Sequence, residues 1–212
     1  MENYIKSLEW RYATKKYDSA DKVSPEDIES LKTAVRLTPS SVGLQPYKVI
    51  VIEDKAMREK LVEGVSGNNK AVVADASHVF VFAIEENVGK KQIDKYMETI
   101  SEIRNTPLDS LQGFHDYISN YLAGFTAEQR NNWSAKQAFI ALGNLMSAAA
   151  LLKIDTTPME GFDPNAVNEI LGLEKLGLSA AVIAAAGYRH EEDAAQHSKK
   201  VRKPNNELFI TI

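Results

Sequence analysis

The 212-residue chain contains no cysteine. That excludes disulfides, thiol nucleophiles and thiolate metal sites, and it fits a reducing compartment. A basic excess is also missing: the formal net charge is −4, whereas nucleic-acid binders carry a strongly positive footprint. No Gly-x-Gly-x-x-Gly follows a strand-like run and no P-loop is present, so neither a dinucleotide-binding Rossmann half nor an NTPase loop is encoded. The longest apolar stretch, Ala138 to Leu152, is interrupted by Gly143, Asn144 and Ser147 and is too short to span a bilayer. Met1 to Lys6 holds no apolar signal segment. The expectation is a soluble cytoplasmic protein with no nucleic-acid or membrane partner.

What is present suits an ordinary core. Hydrophobic residues make up 44% of the chain and are interspersed with charge. Ser24-Pro25-Glu26-Asp27 is a helix start, with a Ser cap, Pro at the first position and acids in the first turn. Thr126-Ala127-Glu128-Gln129 has the capping-box pattern and leads into an apolar segment from Trp133 to Leu152, which reads as a helix buried on most faces. Asp163-Pro164 opens another helix through Leu171. Tyr47–Ile52, His78–Ile84 and Ala180–Gly187 read as strands, the second nearly all apolar and so central. Asp155 to Pro158 is a short extended piece, and Leu208 to Ile212 reads as a terminal strand. Lys90–Arg104 and Leu108–Leu122 read as polar-faced helices. Hairpin turn signals such as Asn-Gly are missing, which points to an α+β fold with a small mixed sheet surrounded by helices.

Local chemistry is sparse. His78, His115, His190 and His197 lack metal-ligand spacing, and no nucleophile elbow surrounds Ser40 or Ser41. Two serines between Pro39 and Pro46 are ordinary turn residues. Two cationic strips remain. In Arg11-Tyr12-Ala13-Thr14-Lys15-Lys16-Tyr17-Asp18, a helical turn would bring Arg11 and Lys15 to one side, while an extended exit would spread them along an elongated anion. The second strip is Lys199-Lys200-Val201-Arg202-Lys203. Arg offers a planar fork and Lys a point charge, so the pair of strips could hold a phosphate; each alone reads as a solvated surface.

Taken together, Arg11–Asp18, Pro39-Ser-Ser-Val-Gly-Leu-Gln-Pro46, Asp75-Ala-Ser-His-Val79, Met159-Glu-Gly-Phe-Asp163 and Lys200-Val-Arg202 resemble the FMN-dependent nitroreductase family from about Trp10 to Arg202. The resemblance implies one nitroreductase-like α+β domain over 1–212 and a homodimer with the long helix at its core and FMN at the interface. It implies that Arg11, Lys200 and Arg202 hold the FMN phosphate and that Lys15 lies beside the flavin pyrimidine edge, in the segment with Tyr12 and Ala13. Pro39, Ser40, Ser41 and Gly43 would reach the flavin from the other subunit. Asn69 matches an amide that bonds the ring, and Glu160 and Gly161 a stretch packed against it. Val72 stands where relatives often carry a polar contact. The implied activity is ping-pong transfer of hydride from NADH or NADPH through flavin N5 to nitroaromatics, quinones or free flavins, with no side-chain acid or base required. Phe114, Tyr117 and Tyr121 could gate such a site or simply pack. Rival readings are a flavin-binding protein without turnover, a free-flavin or dihydropteridine reductase, and a helical interaction module.

Overall fold

The structure, a computed structural model, describes residues 1–212. Helix α1 (Glu2–Trp10) is followed by an extended stretch and then α2 (Pro25–Arg36). Ser24 caps α2 as its sequence demands, its hydroxyl accepting the Asp27 N–H at 3.1 Å. Strand β1 (Tyr47–Ile52), helices α3 (Lys55–Leu61) and α4 (Asn69–Asp75), and strand β2 (His78–Glu85) come next. Helices α5 (Lys90–Arg104), α6 (Gln112–Ala123) and α7 (Ala127–Leu151) precede strand β3 (Asp155–Met159). Helix α8 (Pro164–Leu171), strand β4 (Leu178–Gly187) and a helical turn α9 (Asn205–Leu208) complete the chain.

The strands form one sheet in the order β1-β2-β4-β3, and every neighbouring pair is antiparallel. The sheet is therefore antiparallel where the sequence suggested a mixed one. Two short helices, α3 and α4, carry the chain out and back, so β2 returns against β1 in the opposite sense. Parallel pairing survives only as an isolated bridge between Ala13 and Thr156.

The apolar run of β2 has the cause inferred from sequence: both its faces are covered. Phe80, Phe82 and Ile84 pack with Leu31 and Val35 of α2 and with Ala138, Leu142 and Leu145 of α7. Val79, Val81 and Ala83 point the other way, to Leu61, Val72, Val73 and Val167. Alternation along a pleated strand sends successive side chains to opposite faces. Each fully buried Phe or Ile contributes about 1.5–3 kcal/mol. A third cluster under α5 and α6 gathers Leu44, Met97, Ile118 and Trp133, with Phe114 packed against it and Tyr117 left exposed.

Helix α7 is long because its start is capped in both directions. Thr126 Oγ1 accepts the Gln129 N–H at 3.2 Å, and Gln129 Oε1 accepts the Thr126 N–H at 2.9 Å. It is buried on most faces, as its sequence implies: Ala138, Ala141, Leu142, Leu145 and Ala149 are buried, whereas Phe139, Ile140 and Leu151 are apolar side chains left exposed by their own chain.

The terminal strand expected at Leu208–Ile212 is absent. Asn205–Leu208 is a helical turn, and Phe209, Ile210 and Ile212 are exposed with no ladder partner. An apolar tail forms a strand only against another strand's edge, and this chain brings none to it.

Gly187, where β4 meets Tyr17, shows how tightly this sheet end is packed. A Cβ there would lie 2.9 Å from Tyr17 Cδ1 and 3.0 Å from the Ser77 backbone nitrogen. Gly187→Ala is expected to cost about 1–3 kcal/mol, as overpacking of a dense core does. A lower thermal midpoint in a melting curve checks this.

Candidate functional site

The site is built where α1 ends. Arg11 leaves the helix with φ −69° and ψ 143°, so the chain runs on extended rather than as the helical turn considered above. Ala13 pairs with Thr156, the Asp18 N–H donates to Tyr188 O at 2.9 Å, and the His190 N–H donates to Lys16 O at 2.9 Å. The Arg11–Asp18 segment thus lies along the β3 edge and the end of β4.

Two buried carboxylates fix it there. Asp155, 2% exposed, accepts from the Thr14 hydroxyl at 3.2 Å and from Arg189 through its backbone N–H, Nε and Nη2 at 2.7–3.1 Å. The same guanidinium stacks on Trp10 and Tyr12, 4.2 and 4.6 Å from the ring centroids. Asp193, 3% exposed, accepts from Tyr12 Oη at 2.9 Å, from the backbone N–H groups of Lys15 and Lys16 at 2.7 and 3.2 Å, and from that of Ala195 at 3.0 Å. Burial first, and then the bond to Asp193, push the Tyr12 hydroxyl up to about 12.

Burial on its own would raise the Asp193 carboxyl, but the donors from Lys15, Tyr12, Ala195 and Lys16 outweigh it and hold the group below its ordinary value. A carboxyl depressed in the folded state contributes stability above its unfolded value, and that contribution is lost as pH falls through the folded value. The stability gap between the native chain and Asp193→Asn is therefore expected to shrink as pH drops from neutral through the carboxylate range. Urea midpoints measured across that range check the sign.

Above these anchors lies a cleft of about 430 Å³ lined by Arg11, Tyr12, Ala13, Pro158, Lys200 and Arg202, with Trp10 at its edge. None of the three cations forms an ion pair with a carboxylate; the chain's ion pairs lie elsewhere. Arg11 Nε is sealed from solvent and has no hydrogen-bond partner. Burial, and then Arg202, lower the Arg11 pKa; burial, and then Arg11, lower that of Lys200. The Lys200 ammonium donates to the Leu8 and Arg11 carbonyls at the end of α1. Three cations that repel one another, one with an orphaned donor, fit a dianionic phosphate.

The other expected residues fall into two groups. Asn69, Glu160 and Gly161 come together: Asn69 Nδ2 is 3.5 Å from Gly161 O, and a Cβ on Gly161 would lie 2.9 Å from that amide. Pro158 lines the cleft, and the chain leaves β3 at Met159 into a tight turn at Gly161, closed by the Phe162 N–H on Glu160 O at 2.9 Å. Lys15 is exposed and forms no ion pair, whereas Lys16 pairs with Glu192 at the surface.

Pro39, Ser40, Ser41 and Gly43 are not brought to this cleft within the chain. Ser41 N–H donates to Gln137 Oε1 at 2.8 Å, Ser40 Oγ accepts from the Gln45 N–H at 2.9 Å, and Gly43, with φ +76°, backs onto Tyr96 Oη. Trp10 meets Lys153 just past the far end of α7. From Gln137 to Leu151 is about 21 Å along the helix. Sequence reasoning missed Trp10, Asp155, Arg189 and Asp193. Trp10 beside Arg11 was a local signal; the others have their partners 34 to 181 residues away.

The nitroreductase family model matches residues 8–188, and the chain belongs to the nitroreductase family. Two relatives, from Staphylococcus aureus and Staphylococcus haemolyticus, each carry the name "Putative NAD(P)H nitroreductase". The first is 35% identical over 88% of this chain and 86% of its own; the second is 33% identical over 100% and 98%. Among solved structures, the nitroreductase family protein of Streptococcus pneumoniae matches with TM-score 0.82 at 23% identity, covering 99% of this chain and 100% of its own. An Exiguobacterium sibiricum protein solved in complex with FMN matches with TM-score 0.84 at 20% identity, over 99% and 97%. At those identities the structural matches establish the α+β nitroreductase fold.

Proposed function

We propose that this chain is an FMN-dependent oxidoreductase that takes electrons from NADH or NADPH and reduces nitroaromatics, quinones or related small acceptors. The observation that carries this is the cleft of three cations, none of them ion-paired and with Glu9 as the one acid on the wall, beside the orphaned Arg11 Nε. The NAD(P)H in the relatives' names and the FMN in the Exiguobacterium complex support the same chemistry. FMN, when bound, supplies the redox step itself, by a ping-pong exchange of hydride at N5.

The residues of the chain supply binding and electrostatics. Arg11, Lys200 and Arg202 neutralise the phosphate through charged hydrogen bonds. The backbone of Tyr12 and Ala13 is held flat against β3 by Asp193 and Thr156, which fixes the reach of Lys15 towards the ring. A cation there stabilises negative charge on the reduced cofactor. Asn69, Glu160 and Gly161 address the flavin ring. Residues 1–212 act as one domain.

A homodimer accounts for what one chain leaves undone. The exposed Phe139, Ile140 and Leu151 on α7 need cover, and the Pro39–Gly43 loop is bound along α7, at Gln137 and next to Asn144, rather than in its own cleft. A second copy packed on α7 would bury these side chains and deliver its Pro39, Ser40, Ser41 and Gly43 to the flavin. A protein of this kind is yellow as purified or after FMN addition, runs at twice the chain mass, and bleaches when mixed anaerobically with NADH or NADPH. A flavin-loaded protein that neither nicotinamide bleaches would be a carrier without turnover. A protein that takes up no FMN would overturn the assignment.

A further inference from the structure

A second cavity, of about 570 Å³, opens between the start of α2, the turn from β1 into α3 and the first residue of β2. It shares no residue with the Arg11 cleft. We propose that it is a binding site for a small phosphorylated metabolite, of the size of a sugar phosphate or a nucleoside monophosphate.

Arg58, on the wall, is 2% exposed. Its Nη1 donates to the Ser77 carbonyl at 3.2 Å and to the Glu53 carbonyl, its Nε is sealed without a partner, and no carboxylate forms an ion pair with it. Asp54, Glu59, Glu53 and Asp75 offset its charge through space, but none reaches ion-pair distance, so an anion in the cavity would be its first direct counter-charge. His78 stands beside it, 6% exposed. Ser77 Oγ accepts the Val23 N–H at 2.9 Å and lies 2.9 Å from His78 Nδ1, the one acceptor in reach of its buried hydroxyl proton, so we assign that proton to the bond. The ring then carries its own hydrogen on Nε2, which has no protein partner. Burial holds this histidine below its ordinary pKa, so it is a neutral donor.

Lys22 completes the set. It forms no ion pair, and burial, followed by Arg58 and Lys55, lowers its pKa. Two cations and one neutral donor match the several oxygens of a phosphate better than the two of a carboxylate. The acids on the rim divide the work. Glu29 is taken by Lys32 at 2.6 Å, while Glu53 and Asp75 form no ion pair and remain acceptors for hydroxyl or amino groups. The volume exceeds what inorganic phosphate fills and lies within the range of small-molecule pockets.

The test is calorimetric titration of the full chain with ribose 5-phosphate, inorganic phosphate and ribose, in the presence of saturating FMN and again in its absence. With FMN saturating, ribose 5-phosphate is expected to bind one per chain, tighter than phosphate, with ribose silent; without FMN the Arg11 cleft is expected to take a second, so the variants are compared with FMN present. Lys22→Ala should weaken it about tenfold or more, and Lys200→Ala, in the other cleft, should leave it unchanged. Arg58→Lys probes the guanidinium, and the His78 Nε2–H resonance, read by nitrogen-edited NMR, gives the location even where that variant fails to fold. Bound ribose 5-phosphate should shift that resonance. No binding at millimolar concentration overturns the proposal. So does binding that Lys200→Ala abolishes and Lys22→Ala does not, or a His78 resonance that stays put on saturation. The His78 resonance reads this cavity whether or not FMN is bound, so a failure here and a failure of the oxidoreductase assignment are separable.

Discussion

Asp155→Ala is expected to lower stability by about 3–5 kcal/mol, because it removes one partner of a buried ion pair and leaves the other unpaired. Asp155 is 2% exposed, and four of its hydrogen bonds come from the side chain and backbone of Arg189 while a fifth comes from Thr14. The Arg189 side chain is itself mostly buried and sandwiched against Trp10 and Tyr12. It cannot swing into water without releasing both rings. The loss should therefore spread beyond one bond: the Arg11–Asp18 segment is pinned to β3 through Thr14 and to β4 through Arg189. Denaturant unfolding gives the magnitude, and protease nicking near Arg11 reports the segment. Asp155→Asn keeps an acceptor and should lose less than Asp155→Ala. Equal stability of Asp155→Ala and the native chain would show that the pair only breaks even against its desolvation.

That network also marks where the sequence stops being legible. Helix starts were readable because the cap and the groups it satisfies lie within three residues, as at Ser24, Thr126 and Asp163. The central strand was readable because burial on both faces leaves no polar position in Val79–Ile84. Asp155 reads as nothing in particular in Ile154-Asp155-Thr156, since its partner arrives from Arg189 through a sheet register that the local pattern does not carry. Asp193 has the same character, folding back 177 to 181 residues onto Tyr12, Lys15 and Lys16. The tail failed for the opposite reason. Leu208 to Ile212 has a strand's aromatic and β-branched composition, but composition specifies a strand only when an edge is available. The antiparallel sheet was out of reach because strand direction depends on the path of α3 and α4, which local propensity leaves open. Within the site, spacing showed two cationic strips; that they face each other is a property of the fold.

Arg11→Ala and Lys200→Ala are each expected to weaken FMN binding by about 1.5–3 kcal/mol, the worth of a hydrogen bond to a charged group, or roughly tenfold to more than a hundredfold in Kd. The two should differ in what they do to the empty protein. Removing Lys200 relieves repulsion on Arg11 but takes a donor from the Leu8 and Arg11 carbonyls. Removing Arg11 frees Lys200 and Arg202 of a neighbouring cation and deletes a donor that has no partner in the chain. So Arg11→Ala should leave the apoprotein as stable as the native chain or more so, while FMN affinity falls. A gain in apoprotein stability with a loss of affinity is the signature of a binding cation, and a structural arginine would show loss of both. Lys16→Ala is the control. Its ammonium pairs with Glu192 on the surface, where solvent screens the pair, so FMN affinity should not change. Salt separates the two classes as well. Each phosphate contact adds to the salt dependence of FMN affinity, so the dependence should flatten in Arg11→Ala and Lys200→Ala and stay native in Lys16→Ala. Flavin fluorescence quenching at two salt concentrations measures all three, and unchanged affinity in both Arg11→Ala and Lys200→Ala would remove the phosphate from this cleft.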